Sequence, residues 1–177
     1  MPFPRLAGII LHPTSLPGGH GVGDLGRAAR DFADFLENAA IGIWQVLPLG
    51  PTGGANSPYQ SMSSFAGNPL LISLDNLVEL ELLEEYDTRG GPANTMHVDF
   101  PAAGAFKEAS LRPAMDRFMD ARASAAPARA SDLLVADAES RLAAFALFMA
   151  PKDLYQGMAG HQGPALGPRP HPPAAPP

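Results

Sequence analysis

The sequence predicts an α/β protein whose strands run parallel. Three observations carry this: two short, continuously apolar segments and, between them, one helix-period segment long enough to cross from the first to the second. Ala7-Gly8-Ile9-Ile10-Leu11 is bounded by turn residues and shows no polar alternation, the pattern of a strand buried on both faces. Asp24 stands where it can cap a helix over Leu25–Ala39, whose apolar residues Leu25, Ala28, Phe32, Phe35, Leu36 and Ala39 form a stripe at helical spacing. Ile41-Gly42-Ile43-Trp44-Gln45-Val46-Leu47 is the second strand, stopped by Pro48. Strand, helix and strand make a βαβ unit with a right-handed crossover.

Further along, Leu70–Ser73 reads as a short extended segment and Leu74–Glu85 as an acidic helix. From Ala102 the composition shifts to Ala, Arg and Asp, which predicts two helices over 102–120 and 128–149. The last 14 residues, from Pro164, hold seven prolines. Such a stretch builds neither helix nor sheet and has little to bury, so 157–177 is expected to be disordered. No internal repeat is visible.

A chain of 177 residues is long enough for one domain with a real core. Its net charge of −6 lacks the basic cluster that tracking a phosphate backbone needs, so nucleic acid is not an expected partner. With no cysteine, disulfides, thiolate metal sites and cysteine nucleophiles are excluded. The histidines, His12, His20, His97, His161 and His171, show no ligand spacing, and neither metal nor cofactor is expected. The start, Met1-Pro2-Phe3-Pro4-Arg5, is not followed by the apolar run of a signal peptide, and no stretch approaches the roughly 20 apolar residues of a membrane span. The expected setting is the cytoplasm, without a membrane partner.

Two long loops leave the C-terminal ends of the two strands, the side on which α/β architectures bind ligands. They contain His12-Pro13-Thr14-Ser15-Leu16-Pro17-Gly18 and Gly50-Pro51-Thr52-Gly53-Gly54-Ala55-Asn56-Ser57-Pro58-Tyr59-Gln60. With Gly8–Gly18, the run Gly21-Val22-Gly23-Asp24-Leu25-Gly26, then Trp44–Thr52, Ser57–Gln60 and Phe65-Ala66-Gly67-Asn68-Pro69, these segments resemble the opening of the amylomaltase (4-α-glucanotransferase) family in order and spacing. The resemblance is dense over 5–75 and thinner to about Met158. It implies the N-terminal fragment of a (β/α)8 (TIM) barrel with a partly helical inserted subdomain. Residues 1–75 are then the first βαβ unit, 76–156 the mainly helical insertion and 157–177 the tail. The implied activity moves an α-1,4-glucan segment to an acceptor glucan or glucose by a retaining mechanism, with maltooligosaccharides as partners. It also implies that Ser57 and Tyr59 face bound glucan, with Gln60 and Asn68 as weaker neighbours. The residue chemistry agrees: a tyrosine offers a sugar ring a flat apolar face and a hydroxyl at its edge.

Other residues have plainer expected roles. Trp44 is expected in the core, His12 on loop backbone, Asp24 as a helix cap, and Glu79–Asp87 on a solvated helix face. Gly21–Gly26 also matches the G-x-G-x-x-G dinucleotide pattern. A true fingerprint follows its strand at once, whereas about ten residues and two prolines intervene here. Asp24 would set a carboxylate against the diphosphate, and 40–74 contains no acidic residue for the ribose.

Retaining transfer needs two carboxylates about 5–5.5 Å apart. The family resemblance places these on later strands, so no catalytic residue is expected among these 177 and the chain is expected to be inactive. The alternatives are a non-catalytic α-glucan-binding fragment and an inert truncated gene product. The change of composition past Met149 points to a frameshift, which re-reading the coding DNA in the other two frames tests. Buried-type strands without partners also predict poor solubility or a molten state.

Overall fold

A computed structural model describes residues 5–93 and 95–124, together with 145, 146 and 149. The chain divides into two compact units, Met1–Asp132 and Leu133–Pro177. In the second, Phe145, Ala146 and Met149 are helical; the rest of the helix expected over 128–149, and the tail 157–177, lie outside the described residues.

The βαβ unit forms as expected. Strand β1 (Gly8–Ile10) pairs in parallel with β2 (Ile43–Gln45), with Ile9 opposite Trp44, and helix α1 (Arg27–Asn38) connects them. Alternation along the strands sorts the side chains. Trp44 packs edge-on against Phe32 of α1, with ring centroids 4.9 Å apart, and its indole N–H donates to the Leu11 carbonyl at 2.8 Å. The other face carries Ile10 and Ile43, which are 63% and 45% exposed. Both-face burial is therefore not realised: among the described residues the sheet has two strands, nothing covers the face away from α1, and the regular pairing is three residues long.

Helix α1 starts two residues later than expected, with Gly26 at its N-cap and no side chain capping it. Asp24 acts just upstream: its Oδ1 accepts from the Gly26 N–H at 3.0 Å. At the other end Ala40 takes a left-handed φ of 55°, the position where helices usually place glycine, while Ile41 N–H closes onto the Leu36 carbonyl.

Of residues 70–73, Ile72 and Ser73 are extended, whereas Leu70 and Leu71 are not. Pro69–Leu71 winds into a 3-10 turn, because Asn68-Pro69 is a cap followed by the residue with a preset helical φ. The acidic helix is shorter than Leu74–Glu85. Helix α2 covers Leu74–Glu79, and Glu81 turns to φ 59° before a further 3-10 turn at Glu85–Thr88. The run Glu79, Glu81, Glu84, Glu85 sets like charges one turn apart and offers no cation at the helix end. Helix α3 (Phe100–Ser124) begins earlier than expected because the Asp99 carboxylate accepts from Ala102 N–H. It continues through Pro113.

The apolar core lies away from the sheet. Leu74, Leu83 and Ala114 are buried together, with Leu77, Val78, Leu82, Phe106 and Leu111 packed around them, so α2 and α3 share it. Arg117 of α3 donates to the Leu82 carbonyl and to Asp87, pinning the acidic turn to the helix. Lys107, 1% exposed, reaches from α3 to Asp24, Leu70 and Ile72. Among the described residues no helix is long and apolar enough to cross a membrane.

Two outcomes follow from the open sheet face and the strained helix end. The isolated chain binds a hydrophobic dye and self-associates as concentration rises, and Ile10→Thr/Ile43→Thr reduces both without loss of helical signal; size-exclusion chromatography showing a monomer at all concentrations overturns this. Ala40→Gly raises stability by about 0.5–1 kcal/mol in denaturant melts, because glycine takes the left-handed conformation without a Cβ clash.

Candidate functional site

The two loops differ in kind. The first, following β1, is folded on itself and largely buried. His12 caps the 3-10 turn Pro13–Ser15, its Nδ1 accepting from Thr14 N–H at 3.3 Å and lying 2.7 Å from the Thr14 hydroxyl. Gly23 N–H returns to the Thr14 carbonyl. The backbone passes so close that a Cβ on Gly23 would lie 2.2 Å from the Pro13 carbonyl oxygen, and one on Gly18 2.0 Å from that of Val22. Only glycine fits there.

With Nδ1 accepting, the hydrogen of the neutral imidazole is on Nε2. That atom is buried and has no hydrogen-bond partner among the described residues. Burial lowers the His12 pKa from its ordinary value, and the nearby Pro48 carbonyl opposes this only in part. His12 thus serves loop backbone, as expected.

The second loop, following β2, presents side chains to solvent. Ser57, Pro58, Tyr59 and Gln60 form a 3-10 turn in which Ser57 is the N-cap and Pro58 the first residue. Gln60 N–H donates to the Ser57 carbonyl at 3.0 Å, Gly53 N–H to that of Gln60 at 3.2 Å, and Asn56 N–H to that of Gly53 at 2.9 Å. Asn56 takes a φ of 54°, which asparagine tolerates. An antiparallel bridge joins Thr52 to Ser61. The Ser61 hydroxyl is the hub: its single hydrogen lies between the Ser63 carbonyl at 2.7 Å and the Pro51 carbonyl at 3.2 Å, and its oxygen accepts from Ser63 N–H. The Ser63 hydroxyl then accepts from Phe65 and Ala66 N–H. On this braced turn Tyr59 is 74% exposed, Gln60 is exposed and Ser57 half-buried.

Three of the four residues singled out from the sequence are therefore together on one turn. Asn68 is placed otherwise: it is buried, and its Oδ1 accepts from Leu70 N–H as the cap of the next turn. Trp44 is half-buried between α1 and Leu11. The acidic groups near the loops are engaged: Asp24 with Lys107, and Asp75 with His20, which also stacks on Phe106. The described residues hold no group of three His, Cys, Asp or Glu placed to bind a metal ion. Ser61, Ser63 and Lys107 were not foreseen. Ser61 and Ser63 lie in a serine-rich stretch that gave no sign of which hydroxyls turn inward. Lys107 is one of only two lysines among twelve basic residues, a weak sign that a compact three-donor ammonium is needed there.

The sequence profile of the 4-alpha-glucanotransferase family matches residues 11–172. The chain belongs to this family. It is similar to the 4-alpha-glucanotransferase of Thermus thermophilus, 44% identical over 164 residues that make up 93% of this chain and 32% of that protein. It is 43% identical to that of Synechocystis sp. over 159 residues, 89% of this chain and 31% of that protein. Among solved structures it is similar to an amylomaltase from Streptococcus agalactiae in complex with acarbose, with a TM-score of 0.79 and 32% identity over 90% of this chain and 32% of that one. The chain thus spans about a third of the length of these family members. The family match runs on to residue 172, past Met149 and into the proline-rich stretch. The α/β architecture of the chain is that of its amylomaltase neighbour over the shared part.

A pH dependence follows from His12. Its folded pKa lies below the ordinary value, so the native state binds the proton less readily than the unfolded chain. Its contribution to stability is complete above about pH 6.5 and is lost as pH falls toward the folded pKa. His12→Asn, which keeps a capping oxygen for Thr14 N–H, flattens the stability profile below about pH 6.5 in denaturant melts. An unchanged slope in the variant would show that His12 is not the titrating group.

Proposed function

We propose that this chain forms the first βαβ unit of a (β/α)8 barrel and supplies part of the glucan-binding wall of a 4-α-glucanotransferase. In that protein an α-1,4-glucan segment passes to an acceptor glucan or glucose with retention of configuration. One observation carries the reading: a large aromatic side chain, Tyr59, stands 74% exposed on a turn whose backbone is hydrogen-bonded from behind. An aromatic held open to solvent on a rigid turn is a preorganised platform for the C–H face of a sugar, with its hydroxyl free for the sugar's rim. Ser57 and Gln60 flank it on the same turn and offer hydroxyl and amide groups to the sugar hydroxyls. Asn68, capping the next turn, holds the far end of the loop rather than the ligand.

The exposed strand face supports the barrel part of the proposal. Ile10 and Ile43 point away from α1, the direction in which a (β/α)8 barrel has its packed interior. In the proposed whole protein, further strands cover that face and carry the nucleophile and the acid/base pair. This chain binds and orients; it contributes no carboxylate to the chemistry, since Asp24 is held in an ion pair with Lys107 and Asp75 is hydrogen-bonded to His20. Action in the cytoplasm, without metal or cofactor, belongs to the same proposal.

Calorimetric titration with maltoheptaose separates platform from bystander. The chain binds weakly, because one wall of a cleft gives little affinity, and Tyr59→Ala lowers that affinity about fivefold or more. Equal affinities would remove Tyr59 from the site. The purified chain is expected to release no glucose from maltotriose; measurable turnover would place the carboxylate pair within these residues.

A further inference from the structure

Lys107 is the most deeply buried charged side chain described, at 1% exposure, and all three of its donors are used. Nζ donates to Asp24 Oδ2 at 3.0 Å, to the Leu70 carbonyl at 2.7 Å and to the Ile72 carbonyl at 2.7 Å. The three oxygens come from different places. Asp24 closes the loop after β1 and holds the lead-in to α1 through Gly26 N–H. Leu70 lies in the 3-10 turn that ends the loop after β2, and Ile72 is its C-cap. A single ammonium on α3, 83 residues from Asp24 in sequence, thus ties the rear of both loops to one point.

From that point two hydrogen-bonded groups, joined through the single residue Gly67, lead to the platform. Leu71 carbonyl accepts from Leu25 N–H, and Leu70 N–H is capped by Asn68. Just before Asn68, Ser63 holds Phe65 and Ala66 N–H, and Ser61 holds Ser63, Pro51 and, through its bridge, Thr52. Tyr59 sits on the turn that this bridge closes.

We propose that Lys107 is a positioning residue for the Tyr59 platform: by gripping the Leu70 and Ile72 carbonyls it holds the far end of the platform loop, while Asp24 supplies the counter-charge that compensates its burial. Its functional consequence rests on the reading of Tyr59 as a sugar platform; the grip itself does not.

The two halves of the clamp separate by mutation. Lys107→Met removes every donor. Asp24→Asn removes the counter-charge but leaves the lysine, which as a neutral amine still has one N–H for each carbonyl, while the substituted side-chain amide still accepts from Gly26 N–H. Hydrogen exchange is read on the chain at a dilution where it is monomeric, without ligand, and a fluorotyrosine label reports on Tyr59 by ¹⁹F resonance, assigned with Tyr59→Phe. In Lys107→Met, amides 70–72 and those of Gly53, Asn56, Gln60 and Met62 exchange roughly tenfold faster and the Tyr59 line shifts and narrows, while Ala39 and Ile41 keep their rates. In Asp24→Asn both sets stay within about twofold of the parent and the Tyr59 line is unmoved. Acceleration at 70–72 alone, with 53–62 and Tyr59 unchanged, overturns the coupling. Equal acceleration everywhere in both variants reduces Lys107 to a general stabiliser and overturns it too, as does an absence of protection at 70–72 in the parent chain. If circular dichroism shows Lys107→Met unfolded, Asp24→Asn decides: protection lost at 70–72 and 53–62 with the lysine in place overturns the proposal, and protection kept supports it. Glucan binding is measured separately, so a chain that fails to bind maltoheptaose refutes the platform without touching the clamp.

Discussion

A buried ammonium is costly to desolvate, and the arrangement around Lys107 is what makes its burial tolerable. Taking a charge out of water costs several kcal/mol even after relaxation, and the cost is offset only where the geometry is good and every proton finds an acceptor. Lys107 meets that condition with one carboxylate and two carbonyls. Desolvation nonetheless dominates and lowers its pKa, with the Asp24 charge working in the opposite direction. The rest of the unit is arranged around this constraint. Helix α3 must bring the lysine to one spot, the segment 70–72 must curl so that its carbonyls converge, and Asp24 must face inward rather than cap α1 directly. The early break of α2 and the docking of Arg117 onto Leu82 and Asp87 complete the same face of α3.

The two loops over the ends of the strands divide the work. The loop after β1 is packed on itself through glycines that no other residue can replace at such close approach, and its buried His12 acts as a cap. It is a foundation. The loop after β2 is held from behind by two serine hydroxyls and leaves its aromatic and amide groups in solvent. Rigid backbone with open side chains is the combination a binding surface needs, because the entropy of ordering the turn is lost on folding rather than on binding.

The proposed place of this chain in a closed barrel would account for the least comfortable feature of the fold. Two strands with apolar residues on an uncovered face make a poor end point for a soluble domain, and a good beginning for a closed one. The chain spans about a third of the length of its relatives, and its apolar core lies between α2 and α3 and not against the sheet.

Much of this was legible in the amino-acid sequence, and the boundary has a physical basis. The βαβ order was readable because continuous apolar runs and helical periodicity are local signals, and Ser57, Tyr59 and Gln60 could be picked out because the motifs of their loop resemble those of the family. Over Leu70–Ser73 the apolar run suggests an extended segment, yet only Ile72 and Ser73 are extended; Asn68-Pro69, a cap and a first helical residue, starts the 3-10 turn that takes in Leu70 and Leu71. Asn68, which the family resemblance sets beside bound glucan, is buried as the cap of that turn: an amide that caps a turn and one that binds a sugar are the same residue until its surroundings are known. The break of α2 at Glu81 and the open face of the sheet depend on what packs where. Above all, nothing local marks Lys107 as the partner of Asp24, Leu70 and Ile72. The sequence by itself determined the family, the strand–helix–strand order and the turn that presents Tyr59. Only the tertiary structure decided which carbonyls converge on one buried ammonium, because that depends on residues distant in the chain meeting at a single charge.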